Sequence, residues 1–174
     1  VHGIPSKSKK LREGDIVSVD AGAIYQGWYS DMARTYAVGE ISPEAAKLVR
    51  VTEESFFEGL KYCVAGNYLS DVSHAIQVHL ESNGFGVIRD YVGHGLGREM
   101  HEQPPVPNYG RPGRGPKLKK GMVLAIEPMV SAGSYAVKVL PDEWTAVTGD
   151  GSLAAHYENT VVITDAEPLV ITLL

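Results

Sequence analysis

The feature that most constrains this chain is the set of acids and a histidine embedded in apolar, strand-like runs. Asp20 ends Ile16-Val17-Ser18-Val19, Glu127 ends Met122-Val123-Leu124-Ala125-Ile126, and Glu158 stands between Tyr157 and the run Thr160-Val161-Val162-Ile163. His94 follows Tyr91-Val92-Gly93 directly. A carboxylate or imidazole aimed into a core is strongly unfavourable unless it is paired or bound to a metal. Any fold this chain adopts must bring these groups to one another or to a cation.

Asp31 joins the set through a hairpin pattern. Residues 15–36 read as two β-rich runs around a Gln26-Gly27 break. A turn at Tyr25-Gln26 sets Asp20 opposite Asp31, with Cβ atoms about 4.5–5.5 Å apart, and a slipped register makes them diagonal neighbours on the same face. The plainer alternative is that one aspartate serves a turn and Asp31 pairs with Arg34. Glycines 93, 95 and 97 alternate around His94, which lets another backbone or a ligand come close, and His101-Glu102 follows. Taken alone, that motif also fits a satisfied core histidine. A phosphate cradle is disfavoured, because no capped helix and no Lys-Ser/Thr pair close the loop. Carboxylates about 4 Å apart repel by about 4 kcal/mol per pair at an effective dielectric near ~20. Convergence of Asp20, Asp31, His94, Glu127 and Glu158 therefore demands protonation or two divalent ions, and an oxygen-rich donor set with one nitrogen favours Mn, Fe, Co or Zn.

The intervening sequence supplies a scaffold. Ser42-Pro43 caps a helix whose Ala45, Val49, Thr52, Phe56 and Leu60 repeat at helical spacing to Cys63. Ser70-Asp71 reads as a second cap, with Val72, Ile76 and Leu80 on one face and Gly84 as the stop. Strands are expected at 87–92, 122–126, 135–140, 144–147 and 153–163, with a Pro/Gly/Lys loop over 104–120. Strands and helices are grouped rather than alternating, which predicts an α+β fold: a mainly antiparallel sheet with helices on one face. At 174 residues with 44% apolar content, the chain suits a single domain, residues 1–174, and needs no disulfide, which its one cysteine forbids. A net charge of −5 argues against nucleic acid as the main partner. Apolar runs such as 122–126 and 169–174 fall far short of the ~20 residues that cross a bilayer. These features fit a reduced, aqueous compartment.

The motifs taken together resemble those of type I methionine aminopeptidases, whose pita-bread fold is shared with aminopeptidase P and prolidase. They are Val1-His2-Gly3-Ile4-Pro5, Val19-Asp20-Ala21-Gly22, Gly27-Trp28-Tyr29-Ser30-Asp31, Gly93-His94-Gly95-Leu96-Gly97 with His101-Glu102, Ile126-Glu127-Pro128-Met129, Trp144-Thr145 and His156-Tyr157-Glu158-Asn159-Thr160. The resemblance implies a curved sheet with helices on its outer face and a dinuclear site for two divalent ions. In it Asp20 chelates one ion, Asp31 and Glu158 bridge, and His94 and Glu127 complete the other. It further implies that a hydroxide between the ions attacks the first peptide bond of an N-terminal methionine peptide or nascent chain. Glu127 then moves the proton, His101 serves the scissile carbonyl and His2 the amide nitrogen. Met100 and Trp144 are expected in the substrate pocket, or else in ordinary core packing. A monomer in the cytoplasm, with possible ribosome proximity, is the matching expectation. A proline-directed peptidase and a non-catalytic binding protein on the same scaffold are the alternatives.

Val1 opens in what reads as mid-element, and the resembling family carries a segment ahead of the HGIP motif. The expectation is upstream sequence, and weak stability and activity for residues 1–174 alone. His74 and His79 are expected at the surface, and Cys63 as a small buried apolar residue. His156, two residues before Glu158 on the same strand face, either supports the site or is partly exposed. The basic loop from Arg111 to Lys120 is expected to be solvated.

Overall fold

The computed structural model describes residues 1–173; Leu174, the last residue of the apolar run at 169–174, lies outside them. Strand β1 (Ile16–Tyr25) and strand β2 (Trp28–Ala37) form an antiparallel hairpin. Gln26 and Gly27 make its turn with φ of 50° and 76°. Both central residues thus adopt the positive φ that a type I′ turn requires, and glycine takes the second position at little cost. The turn therefore falls one residue later than Tyr25-Gln26, which would have forced an aromatic residue into the left-handed region. Gly22 consequently faces Asp31, Asp20 faces Ala33, and the two aspartates are diagonal neighbours rather than directly opposed.

Helix α1 (Pro43–Leu60) begins as expected, with the Ser42 hydroxyl accepting from Ala45 N at 3.1 Å. Helix α2 (Leu69–Ser82) starts earlier than Ser70-Asp71 suggested. Its N-cap is Tyr68, whose backbone N–H donates to the Asp71 carboxylate at 2.9 Å. Ser70 instead binds the backbone of Arg114, and the Asp71 carboxylate accepts from Gly113 N, so both tie the basic loop to the helix start. Gly59 lets the helices meet closely, since a Cβ there would stand 2.7 Å from an Ile76 side-chain carbon.

Ten further strands complete the fold: β3 (Gly86–Val87), β4 (Gly93–Gly95), β5 (Glu102–Val106), β6 (Val123–Ile126), β7 (Met129–Ser131), β8 (Val137–Val139), β9 (Ala146–Thr148), β10 (Ala154–His156), β11 (Glu158–Val162) and β12 (Leu169–Val170). The main sheet runs β1-β2-β11-β6-β4-β5, with β12 on the free end of β11; β10-β7-β3 and β8-β9 form smaller sheets, and every strand pair is antiparallel. Leu48, Val51, Phe56, Val72 and Ile76 of the helices and Leu124, Ile126 and Val161 of the sheet share one buried core. This is the α+β, pita-bread-like arrangement. Among the described residues no helix is long and apolar enough to cross a membrane.

Several expected strands are shorter or broken. Of 87–92 only Val87 is in a strand, 104–106 belongs to β5 rather than to a loop, and 153–163 is interrupted at Tyr157. The interruptions are informative. At Glu127-Pro128 the chain passes from β6 of the main sheet to β7 of the small one, and at Tyr157 it passes from β10 to β11 in the opposite sense. The crossings adjoin, with Tyr157 N donating to Pro128 O. Proline, which supplies no donor, suits such a break.

β4 fits between its neighbours because its glycines have no side chains. A Cβ on Gly93 would stand 2.3 Å from Ala125 O, and one on Gly95 2.3 Å from Gln103 O. Gly93→Ala is expected to destabilise the protein by about 1–3 kcal/mol through overpacking. Urea unfolding checks it, and an unchanged midpoint would mean that the sheet opens here without cost.

Candidate metal centre

The sheet crossings and the hairpin aim acids and imidazoles at one place. Asp31 on β2, His94 on β4 and Glu158 on β11 are buried, and His156 at the end of β10 is buried as well. Glu127 stands at the corner after β6, where Asn108 donates from Nδ2 to its carbonyl at 2.9 Å. His94 Nε2 lies 3.8 Å from Asp31 Oδ2 and 3.6 Å from Glu127 Oε1, and His156 Nε2 lies 3.3 Å from Glu127 Oε2.

Local chemistry fixes these side chains. Thr160 donates from its hydroxyl to Asp31 O at 2.8 Å and accepts from Asp31 N at 2.9 Å. A side chain thus continues the ladder where β2 and β11 part beyond Met32 and Asn159, leaving Asp31 beside Glu158. His94 Nδ1 lies 2.9 Å from Gly95 O, a carbonyl that only accepts, so the proton resides on Nδ1 and the Nε2 lone pair faces the acids. Arg34 does not pair with Asp31. It donates to Glu158 O, to Ala33 O at 2.8 Å and to Asn159 Oδ1 at 2.7 Å, and its guanidinium lies 4.1 Å above the Tyr157 ring.

The cluster is electrostatically unfinished. Glu158 is 1% exposed, and among the described residues neither carboxylate oxygen has a hydrogen-bond partner. Burial above all, then the neighbouring Glu127, Asp31 and Asp20 charges, push its carboxyl up to about 10. Burial, then Asp20, push Asp31 up to about 6. Among the described residues no Lys or Arg lines the cavity of about 670 Å³ that opens onto the cluster. Two donor sets converge there within cation reach, Asp31-His94-Glu158 and Glu127-His156-Glu158, sharing Glu158. Orphaned buried oxygens flanked by imidazole nitrogens are what divalent transition ions satisfy, so the residues fit a dinuclear centre.

Asp20 is exposed on β1, lines the same cavity, and lies outside both donor sets. His2 and His101 also line it. The His101 ring sits 4.4 Å from that of His94, and the His2 ring stacks on Trp144 at 4.8 Å and meets Tyr91 edge-on at 5.0 Å. Burial holds the His2 imidazole below its ordinary pKa. Met100 and Trp144 stand just outside the cavity lining: Met100 covers Gly22 of β1, and Trp144 backs His2. Sequence reasoning left His156 open, although a histidine closing Ala154-Ala155 carries the same signal as the other embedded groups. It missed Tyr91, whose part is visible only once 91 and 144 flank His2.

Residues 1–165 match metallopeptidase family M24. The chain belongs to that family. It is 66% identical over 173 residues to a methionine aminopeptidase of Clostridium acetobutylicum, covering 99% of this chain and 69% of the relative. The crystal structure of methionine aminopeptidase from Thermotoga maritima superposes with a TM-score of 0.96 at 57% identity, covering 98% of this chain and 68% of that one. A prolidase from Thermococcus sibiricus shares the fold more loosely, with a TM-score of 0.74 and 28% identity over 99% of this chain and 41% of its own. Within family M24 the chain therefore falls with the type I methionine aminopeptidases, and it is a metal-dependent aminopeptidase.

Asp31 and Glu158 keep their protons to higher pH when folded than the ~4 typical of unfolded carboxylates. The folded, chelator-treated protein then binds more protons than the unfolded chain. The stability these two carboxyls contribute is fully present below about pH 4, and is lost as pH rises through about 6 for Asp31 and toward about 10 for Glu158. Melting temperatures of the chelated protein should fall steadily from about pH 5 to about pH 8, and Glu158→Gln should flatten the upper part of that decline. A melting temperature that rises over this interval would contradict the assignment.

Proposed function

We propose that the chain is the catalytic unit, one domain over its whole length, that releases N-terminal methionine from peptides and nascent proteins. The observation that carries this reading is Glu158, buried with both oxygens unpartnered between two imidazole-containing donor sets. Asp31, His94, Glu127 and Glu158, with Asp20 at the cavity edge, would hold two divalent ions there, and His156 backs Glu127. Bound there, two divalent ions would lower the pKa of a coordinated water and polarise the scissile carbonyl.

The protein's own groups do the rest. Glu127 reaches the cavity through a side chain only 12% exposed, so its carboxylate can take the proton of the attacking water and deliver it to the departing amine nitrogen. His101 donates to the carbonyl oxygen as charge develops on it. His2, held between Trp144 and Tyr91, contacts the amide nitrogen of the bond. Trp144 and Met100 supply apolar surface for the methionine side chain. Acting on nascent chains, the enzyme would work in the cytoplasm near the ribosome, and it is proposed to do so as a monomer.

Metal-loaded protein should carry near two transition ions per chain by elemental analysis, and Asp31→Ala and Glu158→Ala should each lose at least one. Glu127→Gln should lower kcat on Met-Ala-Ser by about 10²–10⁴-fold. Chromatography of the products decides between substrates: free methionine from Met-Ala-Ser supports the proposal, whereas cleavage confined to Xaa-Pro peptides would replace it with the prolidase-like reading.

A further inference from the structure

We propose that Glu102 is a positioning residue, which sets His101 over the site by clamping the turn that carries it. The inference rests on the role assigned to His101 above. β4 and β5 are joined by residues 96–101, and Gly95 pairs with Glu102 across the base of that turn. The Glu102 side chain folds back into the turn, where Oε1 accepts from Arg98 N at 2.7 Å and from Glu99 N at 2.9 Å. Hydrogen bonds to an ionised carboxylate are short and strong, and two on one oxygen fix consecutive peptide planes. Gly97 leaves the space that this requires, since a Cβ there would stand 3.1 and 3.2 Å from the two carboxylate oxygens.

The outer side of the turn is held separately. Tyr29 N donates to Gly97 O at 2.9 Å, and the Arg98 guanidinium lies 3.9 Å over the Trp28 ring at the hairpin tip. Met100 is pressed against Gly22. His101 itself is exposed, and among the described residues its ring contact is the His94 ring at 4.4 Å. The orientation of a donor that must meet a developing oxyanion is thus inherited from the backbone of 98–100, and Glu102 is the side chain that braces that backbone from within. A misplacement of about 1 Å in such a group is enough to cost about a hundredfold in rate.

The test is a double-mutant cycle in the metal-loaded protein, with Met-Ala-Ser as substrate. Glu102→Ala should lower kcat by about ten- to a hundredfold with little change in KM and in bound metal. Glu102→Gln, which keeps an acceptor oxygen, should retain most of the activity. In a His101→Ala background, Glu102→Ala should cost nothing further. Losses that multiply in the double variant, loss of metal in Glu102→Ala, or equal damage from Gln and Ala would each overturn the positioning role while leaving His101 in place. A fully active His101→Ala protein would instead overturn the role assigned to His101 itself. Melting temperatures of all variants separate these outcomes from misfolding, and the Gln variant carries the comparison if the Ala variant does not fold.

Discussion

The structure depends on a carboxylate held where it cannot stay charged alone. Glu158 begins β11 in the middle of the main sheet, with Asp31 on one side, Glu127 on the other and no partner on either oxygen. Burial and like charge act in the same direction, so the protein stores an unfavourable arrangement that a pair of divalent cations relieves. Metal affinity and folding are coupled for the same reason. The apolar core under α1 and α2 supplies the stability against which this arrangement is maintained.

The route by which the acids converge is a property of sheet crossings. Glu127 and Glu158 lie beside the two points where the chain changes sheets, and these points touch through Tyr157 and Pro128. A side chain at a corner is freed from the strict alternation of a continuous strand, which lets acids from β6 and β11 and an imidazole from β10 face one volume. Thr160 does the equivalent work on β2 by replacing ladder bonds at Asp31 with its hydroxyl. The glycines of β4 bring His94 between two neighbouring backbones that any larger residue would push away.

Around this fixed centre the more exposed groups are held by turns and aromatic contacts. His2 rests between Trp144 and Tyr91, and the Asp142 carboxylate accepts from Trp144 N at 3.1 Å, which fixes the tryptophan backbone. His101 rides on a turn clamped by Glu102 and by the hairpin tip. Candidate ligands on strands or at their ends, and groups proposed to face substrate on loops, is the division of labour expected when a charge-dense centre must be rigid while a peptide above it must enter and leave.

The sequence by itself determined the fold class, the helix at Pro43–Leu60 and the identity of the embedded acids, because periodicity, capping and the cost of burying charge are local or nearly local properties. Asp20, His94, Glu127 and Glu158 stood out by their place in apolar runs, although Asp20 proves exposed; Asp31 entered through the hairpin pattern, and motif resemblance joined the five. What only the tertiary structure decided was geometry. The hairpin register turned on which residues of Tyr25-Gln26-Gly27 accept positive φ, and it made Asp20 and Asp31 diagonal. The start of α2 turned on Ser70 and Asp71 being claimed by a loop more than forty residues away in sequence. His156 became part of the cluster only when β10 and β7 paired and set it beside Glu127. Contacts between residues distant in the chain leave no periodic trace, so their consequences for charge, register and reach exist only in the folded protein.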